Sequence, residues 1–270
     1  MEVRIEPPEN IKNLENILLG LYFIRRRLLK DSVGLRLLHK KKEKLYRIPA
    51  LSVIYDSVSG SIENIRKEVE GVIEAYAKQH PMWDAFFARI KGIGPLYAGI
   101  ILGRVPAWKF PNPSALRKYT GWAPPHVYGG KRRYDGHLKA IFYIVATNFL
   151  KVKNKYSSEY YAWRKKEDLK LKLMEKYADK VSGKIKEDDI DEELAVELGI
   201  KSLEELHKIK PPANKLHAHY RAIRKMISMF LAHYFEMYWR VVLKVKNPPK
   251  PYFVIKGMGE YFPPEAFFDL

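Results

Sequence analysis

One long segment near the C-terminus strongly favours a helical fold. Residues 214–246 contain neither Gly nor Pro, whereas Pro212 precedes the segment and Pro248 follows it. Apolar side chains recur there at steps of three and four residues, at Leu216, Tyr220, Ile223, Ile227, Phe230, Leu231, Tyr234, Tyr238, Val241 and Val245. This spacing predicts an amphipathic helix about 48 Å long. Its apolar stripe predicts either the core of the protein or the contact surface of a homodimer.

Two further segments have helical spacing, and strand signals are few. Residues 61–79 predict a helix that stops before Pro81, and residues 137–150 predict another. Short strands are predicted at 50–55 and 252–255. The fold class is therefore mainly α, with a long C-terminal helix and few or no short strands.

The distribution of charge and of Pro and Gly divides the chain into three parts. Residues 1–60 form a basic, helical N-terminal extension, and residues 61–246 form the main domain. A mixed-charge segment near 170–213 interrupts this domain as an insertion. Its acidic block at 187–193 is interpreted as a solvated helix face rather than a carboxylate metal site. Residues 247–270 are rich in Pro, Gly and aromatic residues and predict an extended arm.

The composition points to a polyanionic partner. Lys and Arg number 49 and Asp and Glu 31, a formal net charge of +18, which is typical of nucleic-acid binding. The chain has no Cys, which excludes disulfides, thiolate zinc sites and Cys nucleophiles. It has no uncharged run long enough to span a membrane and no N-terminal signal pattern, so we expect a cytoplasmic protein without a membrane partner. The abundance of Lys and Glu suits a thermophilic source.

The positive charge is concentrated near the N-terminus. Residues 25–47 hold ten Lys and Arg but only Asp31 and Glu43 as acids. Leucines alternate with these cations, so part of the stretch is an amphipathic helix with a solvated face. The alternative is direct nucleic-acid contact by the clustered cations, which are Arg25, Arg26, Arg27, Lys40, Lys41 and Lys42.

Residues 82–104 resemble a helix-hairpin-helix DNA-binding motif. A helix would end near Lys91, a turn would follow, and Pro95 would open the next helix as a favoured first residue. Glycines in the turn let the backbone approach a phosphate, and the N–H groups at the helix start would bind it. Such a motif grips backbone and not bases. The residues predicted to bind nucleic acid here are Lys91, Gly92, Ile93, Gly94 and Tyr97. The alternative is an ordinary connection between two helices.

The next block, 105–139, combines cations with aromatic rings. The cations predicted to bind nucleic acid are Lys118, Lys131, Arg132 and Arg133, and the neighbouring rings are Trp108, Tyr119, Trp122, Tyr128 and Tyr134. This mixture suits a groove for nucleic acid with unpaired bases. The alternative is a solvated loop whose aromatic side chains are tucked into the core.

Together these segments resemble the C-terminal domain of the DEDD-type insertion-sequence transposases and the Piv/MooV DNA invertases. The similarity runs from Glu63 to Val242. It rests on SIENIRKEVEGVIEAYAKQHP, ARIKGIGPLYAGIILG, FPNPSALRKYTGWAP, GGKRRYDGHLKAIFYIVATNFL, SSEYYAWRKK and KLHAHYRAIRKMISMF. The resemblance implies a helical domain that binds DNA in a mobile genetic element.

Two departures from this family affect catalysis. About 60 residues precede the similar region, and we expect that they cannot hold the family's RuvC-type nuclease domain. The family also has a serine, proposed as its nucleophile, before the Gly-Gly segment, where this chain has His126, Val127 and Tyr128. Tyr128 is a candidate nucleophile, with His126 as acid or base and Arg132 and Arg133 to hold the phosphate. A stacking role for Tyr128 is the alternative.

The sequence therefore supports three hypotheses. The first is a non-catalytic DNA-binding protein of a mobile element, such as a plasmid, virus or insertion sequence, with little sequence specificity and a preference for duplex or branched DNA. The second is a DNA strand-breaking and rejoining enzyme that uses Tyr128. The third is an RNA-binding accessory protein. We predict no cofactor and no metal site, with a divalent metal relevant only to the enzyme.

Overall fold

A computed structural model describes residues 5–41, 49–124, 134–177, 212–256 and 261–269. No strand occurs among them, so the mainly α prediction is confirmed. The helices are α1 (Glu9–Lys41), α2 (Pro49–Gln79), α3 (Met82–Ala85), α4 (Pro95–Arg104), α5 (Pro113–Tyr119), α6 (Gly136–Val152), α7 (Lys155–Tyr177), α8 (Lys215–Val241) and α9 (Tyr252–Ile255). Short 3₁₀ turns lie at Phe87–Arg89, Ala107–Lys109 and Pro264–Phe267.

Helix α8 lies in the core and is the long helix predicted from the sequence. The Asn214 side chain caps it by accepting a 2.8 Å hydrogen bond from the His217 N–H. The helix has 27 residues, about 40 Å, and ends at Val241 rather than at residue 246. Most of its apolar stripe is buried within the chain, and Leu216 and Tyr220 are the exposed members. The stripe therefore builds the core, and its use in a homodimer stays a prediction.

Helices α1 and α2 pack side by side and against α4. The strand predicted at 50–55 is wrong, because these residues form the first turns of α2, which also runs through the domain boundary predicted at residue 60. Small residues let the helices approach closely: a Cβ atom on Gly103 of α4 would lie 2.6 Å from the Leu19 backbone nitrogen of α1. The N-terminal segment therefore shares the core of the main domain.

A buried carboxylate ties α1 to the rest of the molecule. Glu15 accepts hydrogen bonds from the Tyr238 hydroxyl of α8 at 2.5 Å and from the Trp108 indole N–H at 2.9 Å. Burial, followed by the charge of Glu15, raises the pKa of Tyr238. Buried polar groups require such partners, since an unpaired group in the core costs about 1–3 kcal/mol.

The C-terminal segment packs onto the core where the structure describes it. Residues 252–255 form α9 and not the predicted strand. The N–H groups of Val254 and Ile255 donate hydrogen bonds to the Pro251 carbonyl oxygen and so close a helical turn. Further on, Phe267 and Phe268 are buried. The predicted extended arm is thus held against α8 at its end.

Candidate nucleic-acid interface

The turn between residues 90 and 95 has the predicted connection but not the predicted first helix. Ile90 is extended, Gly92 has φ +92°, Gly94 is extended, and α4 begins at Pro95. The residues before the turn form the four-residue α3 and a 3₁₀ turn in place of one regular helix. The complete helix-hairpin-helix motif therefore stays a prediction.

The two glycines of the turn have different surroundings. A Cβ atom on Gly92 would lie 2.9 Å from Val152 Cγ2 and 3.3 Å from the Asn148 carbonyl oxygen, both on α6. A Cβ atom on Gly94 would meet nothing within 4 Å, and this residue is exposed. Gly92 thus lets the turn pack on α6, whereas Gly94 leaves the backbone open to a ligand. Ile93, which was predicted to bind nucleic acid, is buried and belongs to the hydrophobic core.

Hydrogen bonds join this turn to the junction of α6 and α7. The Asn154 side-chain amide donates to the Lys91 carbonyl oxygen at 2.7 Å. The Asp269 carboxylate accepts from the Lys91 N–H at 3.0 Å and from the Lys155 N–H at 3.1 Å. The Asp269 N–H donates to the Arg89 carbonyl oxygen at 2.8 Å. The C-terminal segment therefore holds two distant parts of the chain together.

This junction brings together exposed lysines that lie far apart in sequence. We call the exposed side chains Lys91, Lys151, Lys153 and Lys155 the lysine surface. None of them forms an ion pair within the described part of the chain, although the Asp269 carboxylate lies beneath two of their backbone N–H groups. Sequence reasoning missed the last three lysines, although the run KVKNK after an apolar helix is a visible basic signal.

The start of α4 adds hydrogen-bond donors beside the lysine surface. Pro95 has no N–H, and the N–H groups of Leu96 and Tyr97 belong to the first helical turn, which has no intrahelical acceptors for them. The helix dipole places partial positive charge at this end. Tyr97 is half-buried there. Together with Gly94, these groups form a surface that suits phosphate oxygens.

Both described ends of the predicted basic loop lie near the N-terminal end of α6, away from the turn. The Tyr134 ring lies over Gly121, where a Cβ atom would come within 2.6 Å of it, so the two ends of the loop adjoin. Between these ends, His126, Tyr128, Lys131, Arg132 and Arg133 lie outside the described residues. Because α6 has 17 residues, the base of the loop lies about 24 Å from the turn. The exposed Lys118 belongs to the α5 end of this loop.

The described aromatic side chains of block 105–139 range from buried to exposed. Trp122 is buried, and the Trp108 indole donates to Glu15. Tyr119 packs on Phe110 and is more than a third exposed. Trp122 therefore fits the alternative interpretation, a ring tucked into the core, whereas Trp108 is half-buried with Lys12 and Lys109 over its ring.

Among the predicted cations of α1, the three that the structure describes do not form one exposed patch. Arg25 pairs with Glu70 of α2 at 2.6 Å, and its side chain is only 15% exposed, so an interhelical ion pair occupies it. Arg27 is exposed and pairs with Asp31 at 3.1 Å. Arg26 is half-buried close to Tyr22, whose ring lies against Arg104. Lys42 and the side chains of Lys40 and Lys41 lie outside the described residues.

The described residues contain neither a metal site nor a membrane-spanning helix. No group of three or more His, Asp and Glu side chains there is arranged to hold a metal ion. None of the described helices is both long and apolar enough to cross a membrane.

Comparison with known proteins bears directly on this surface. Residues 84–162 match the model of the Transposase IS116/IS110/IS902 family. The match includes the turn, α4, α5, α6 and the start of α7, and therefore all four lysines of the lysine surface. The resemblance to a transposase C-terminal domain is confirmed for this region. No curated protein and no solved structure matches the chain.

Proposed function

We propose that this protein binds the phosphate backbone of DNA in a mobile genetic element, using the lysine surface and the start of α4. The family match supports the coarser statement, a DNA-related function in such an element. The single observation that carries the finer proposal is the convergence of Lys91 with Lys151, Lys153 and Lys155 beside open backbone N–H groups.

The chemistry of this surface favours phosphate over bases. Lysine is a flexible point charge that neutralises phosphate without reading a base edge. Each neutralised phosphate releases counterions, so DNA affinity should fall steeply with salt. A duplex of about seven base-pair steps would span the 24 Å along α6 from the lysine surface to the base of the loop, where Lys118 is exposed.

The chain contains its own matched control for a test. The tetrapeptide Lys-Val-Lys-Asn occurs at 151–154 in the lysine surface and again at 244–247 after α8. In both copies one Lys has a left-handed backbone, with φ 52° at Lys153 and 58° at Lys244. Replacing both lysines of either copy by Gln makes the same chemical change in a similar local setting.

Binding of a labelled 30-base-pair duplex should be measured by anisotropy across a range of salt concentrations. The Lys151→Gln/Lys153→Gln variant should make the negative slope of log affinity against log salt shallower by about 1.8, because two phosphate contacts are lost. The Lys244→Gln/Lys246→Gln variant should leave the slope unchanged. Equal effects of the two variants would indicate only net charge, and no effect of the first would refute the proposal. Tighter binding to duplex RNA than to duplex DNA would favour the RNA-binding alternative.

The strand-breaking alternative is kept because a transposase family name implies chemistry on DNA strands. Its candidate nucleophile Tyr128 lies outside the described residues, and so do His126, Arg132 and Arg133. This hypothesis stays a prediction.

A further inference from the structure

A row of aromatic rings crosses α7, α8 and α6 outside the lysine surface. Neighbouring ring centroids are 5.3 Å apart for Tyr161 and Tyr160, and 5.6 Å for Tyr160 and His219. The row continues to Tyr220 at 5.6 Å and to Tyr143 at 6.1 Å. We call these five side chains the aromatic row.

Two tyrosines of the aromatic row, Tyr161 and Tyr220, are exposed to solvent. Tyr161 is 50% exposed and Tyr220 is 42% exposed. Leu216, one turn before Tyr220 on the same face of α8, is also exposed. Exposed apolar and aromatic area grouped in this way is a common sign of a binding surface.

The middle of the aromatic row is fixed in place. The Tyr160 hydroxyl and His219 Nδ1 are 2.8 Å apart, and Tyr160 is almost fully buried. Burial, followed by the charge of Arg164, lowers the pKa of His219, so this ring is neutral at pH 7. Because the centre of the aromatic row is rigid, a ligand that binds the outer rings would lose little binding free energy to the ordering of side chains.

The three helices that carry the aromatic row are basic, which favours a polyanion over an apolar protein. Helices α6, α7 and α8 together contain 14 Lys and Arg but only five Asp and Glu. Among the cations, Arg164 lies near Tyr160 and His219 and also pairs with Asp168 at 2.8 Å. Exposed rings set among cations are the arrangement by which proteins hold unpaired nucleotides.

We infer that the aromatic row binds single-stranded nucleic acid, with Tyr161 and Tyr220 stacking on unpaired bases. This inference rests on the proposed function and deepens it, because it assigns unpaired nucleic acid to the aromatic row and duplex to the lysine surface. Lys155 and Tyr161 are six residues apart on α7, about 9 Å along its axis. A branched substrate would then place its duplex on the lysine surface and its unpaired strand on the aromatic row.

The test measures binding of labelled dT12, U12 and a blunt duplex to the full chain. Tyr161→Ala/Tyr220→Ala should weaken binding of a single strand by about fivefold or more for each ring, while duplex affinity changes less than twofold. Tyr161→Phe/Tyr220→Phe should retain single-strand binding, because the rings remain. Phe262→Ala removes another exposed ring and serves as the control. Circular dichroism and thermal melting establish that each variant is folded.

The outcomes separate the two proposals. Single-strand binding that survives the Ala changes in a folded protein would overturn the inference, as would an equal loss for duplex and single strand. An equal loss in the Phe variant would assign the effect to the hydroxyl groups and also overturn it. Weaker duplex binding in the Lys151→Gln/Lys153→Gln variant belongs to the proposed function and leaves the aromatic row untouched. A U12 preference would identify RNA as the source of the strand.

Discussion

Replacing Gly92 by Ala should destabilise the fold rather than act on DNA alone. With φ at +92°, Gly92 has a backbone that costs a residue with a Cβ atom about 1–2 kcal/mol. The new methyl group would also lie 2.9 Å from Val152 Cγ2 and 3.3 Å from the Asn148 carbonyl oxygen. Overpacking of this kind costs about 1–3 kcal/mol. Because Val152 is partly exposed and can rotate, we expect a total of about 2–4 kcal/mol.

Gly94→Val provides the contrast within the same turn. Its side chain would extend into open space from an extended backbone, so the free energy of unfolding should change by less than about 1 kcal/mol. The valine would nevertheless stand between a phosphate and the backbone N–H groups of α4, so duplex affinity should fall. Urea denaturation measures the free energy of unfolding, and anisotropy measures duplex affinity. Equal stability of the two variants would refute the assigned packing of Gly92, and unchanged affinity in Gly94→Val would refute the role of this backbone.

Two further predictions concern a buried His and the candidate nucleophile. His233 lies between the Tyr156 hydroxyl and the Phe262 carbonyl oxygen, and burial lowers its pKa to about 4. The neutral ring's contribution to the free energy of unfolding should therefore be fully present above pH 6.5. It should be lost, by about 3 kcal/mol, as the pH falls from 6.5 through 4. Urea denaturation at pH 7.0 and 4.5 should show a smaller difference in His233→Gln than in the wild type, and an equally large difference would contradict this assignment. If Tyr128 is a nucleophile, Tyr128→Phe should abolish plasmid nicking and any covalent protein–DNA adduct while binding survives. Nicking that persists in Tyr128→Phe would remove this residue from the chemistry.

Local signals in the sequence were sufficient for the helical class and for several helix boundaries. Pro81 and Pro95 punctuate the chain, because proline disrupts a helix interior but suits its first turn. The Gly92–Gly94 turn was also readable, since a glycine-rich turn before a proline depends on nearby residues alone. The apolar steps of 214–246 predicted α8, although its end at Val241 came earlier, where Lys244 takes a left-handed backbone.

Contacts between distant residues decided the rest. The apolar residues at 50–55 have strand-like composition, but they form the first turns of α2, where Leu51, Val53 and Ile54 are exposed. Arg25 was predicted to bind DNA, but it pairs with Glu70, which lies 45 residues further along the chain. Lys91 and Lys155 became one surface only through Asn154 and Asp269. By itself, the sequence determined which segments are helical, because helix formation depends on neighbours three and four residues apart; only the tertiary structure decided which cations and rings share a face, because that depends on how the helices pack.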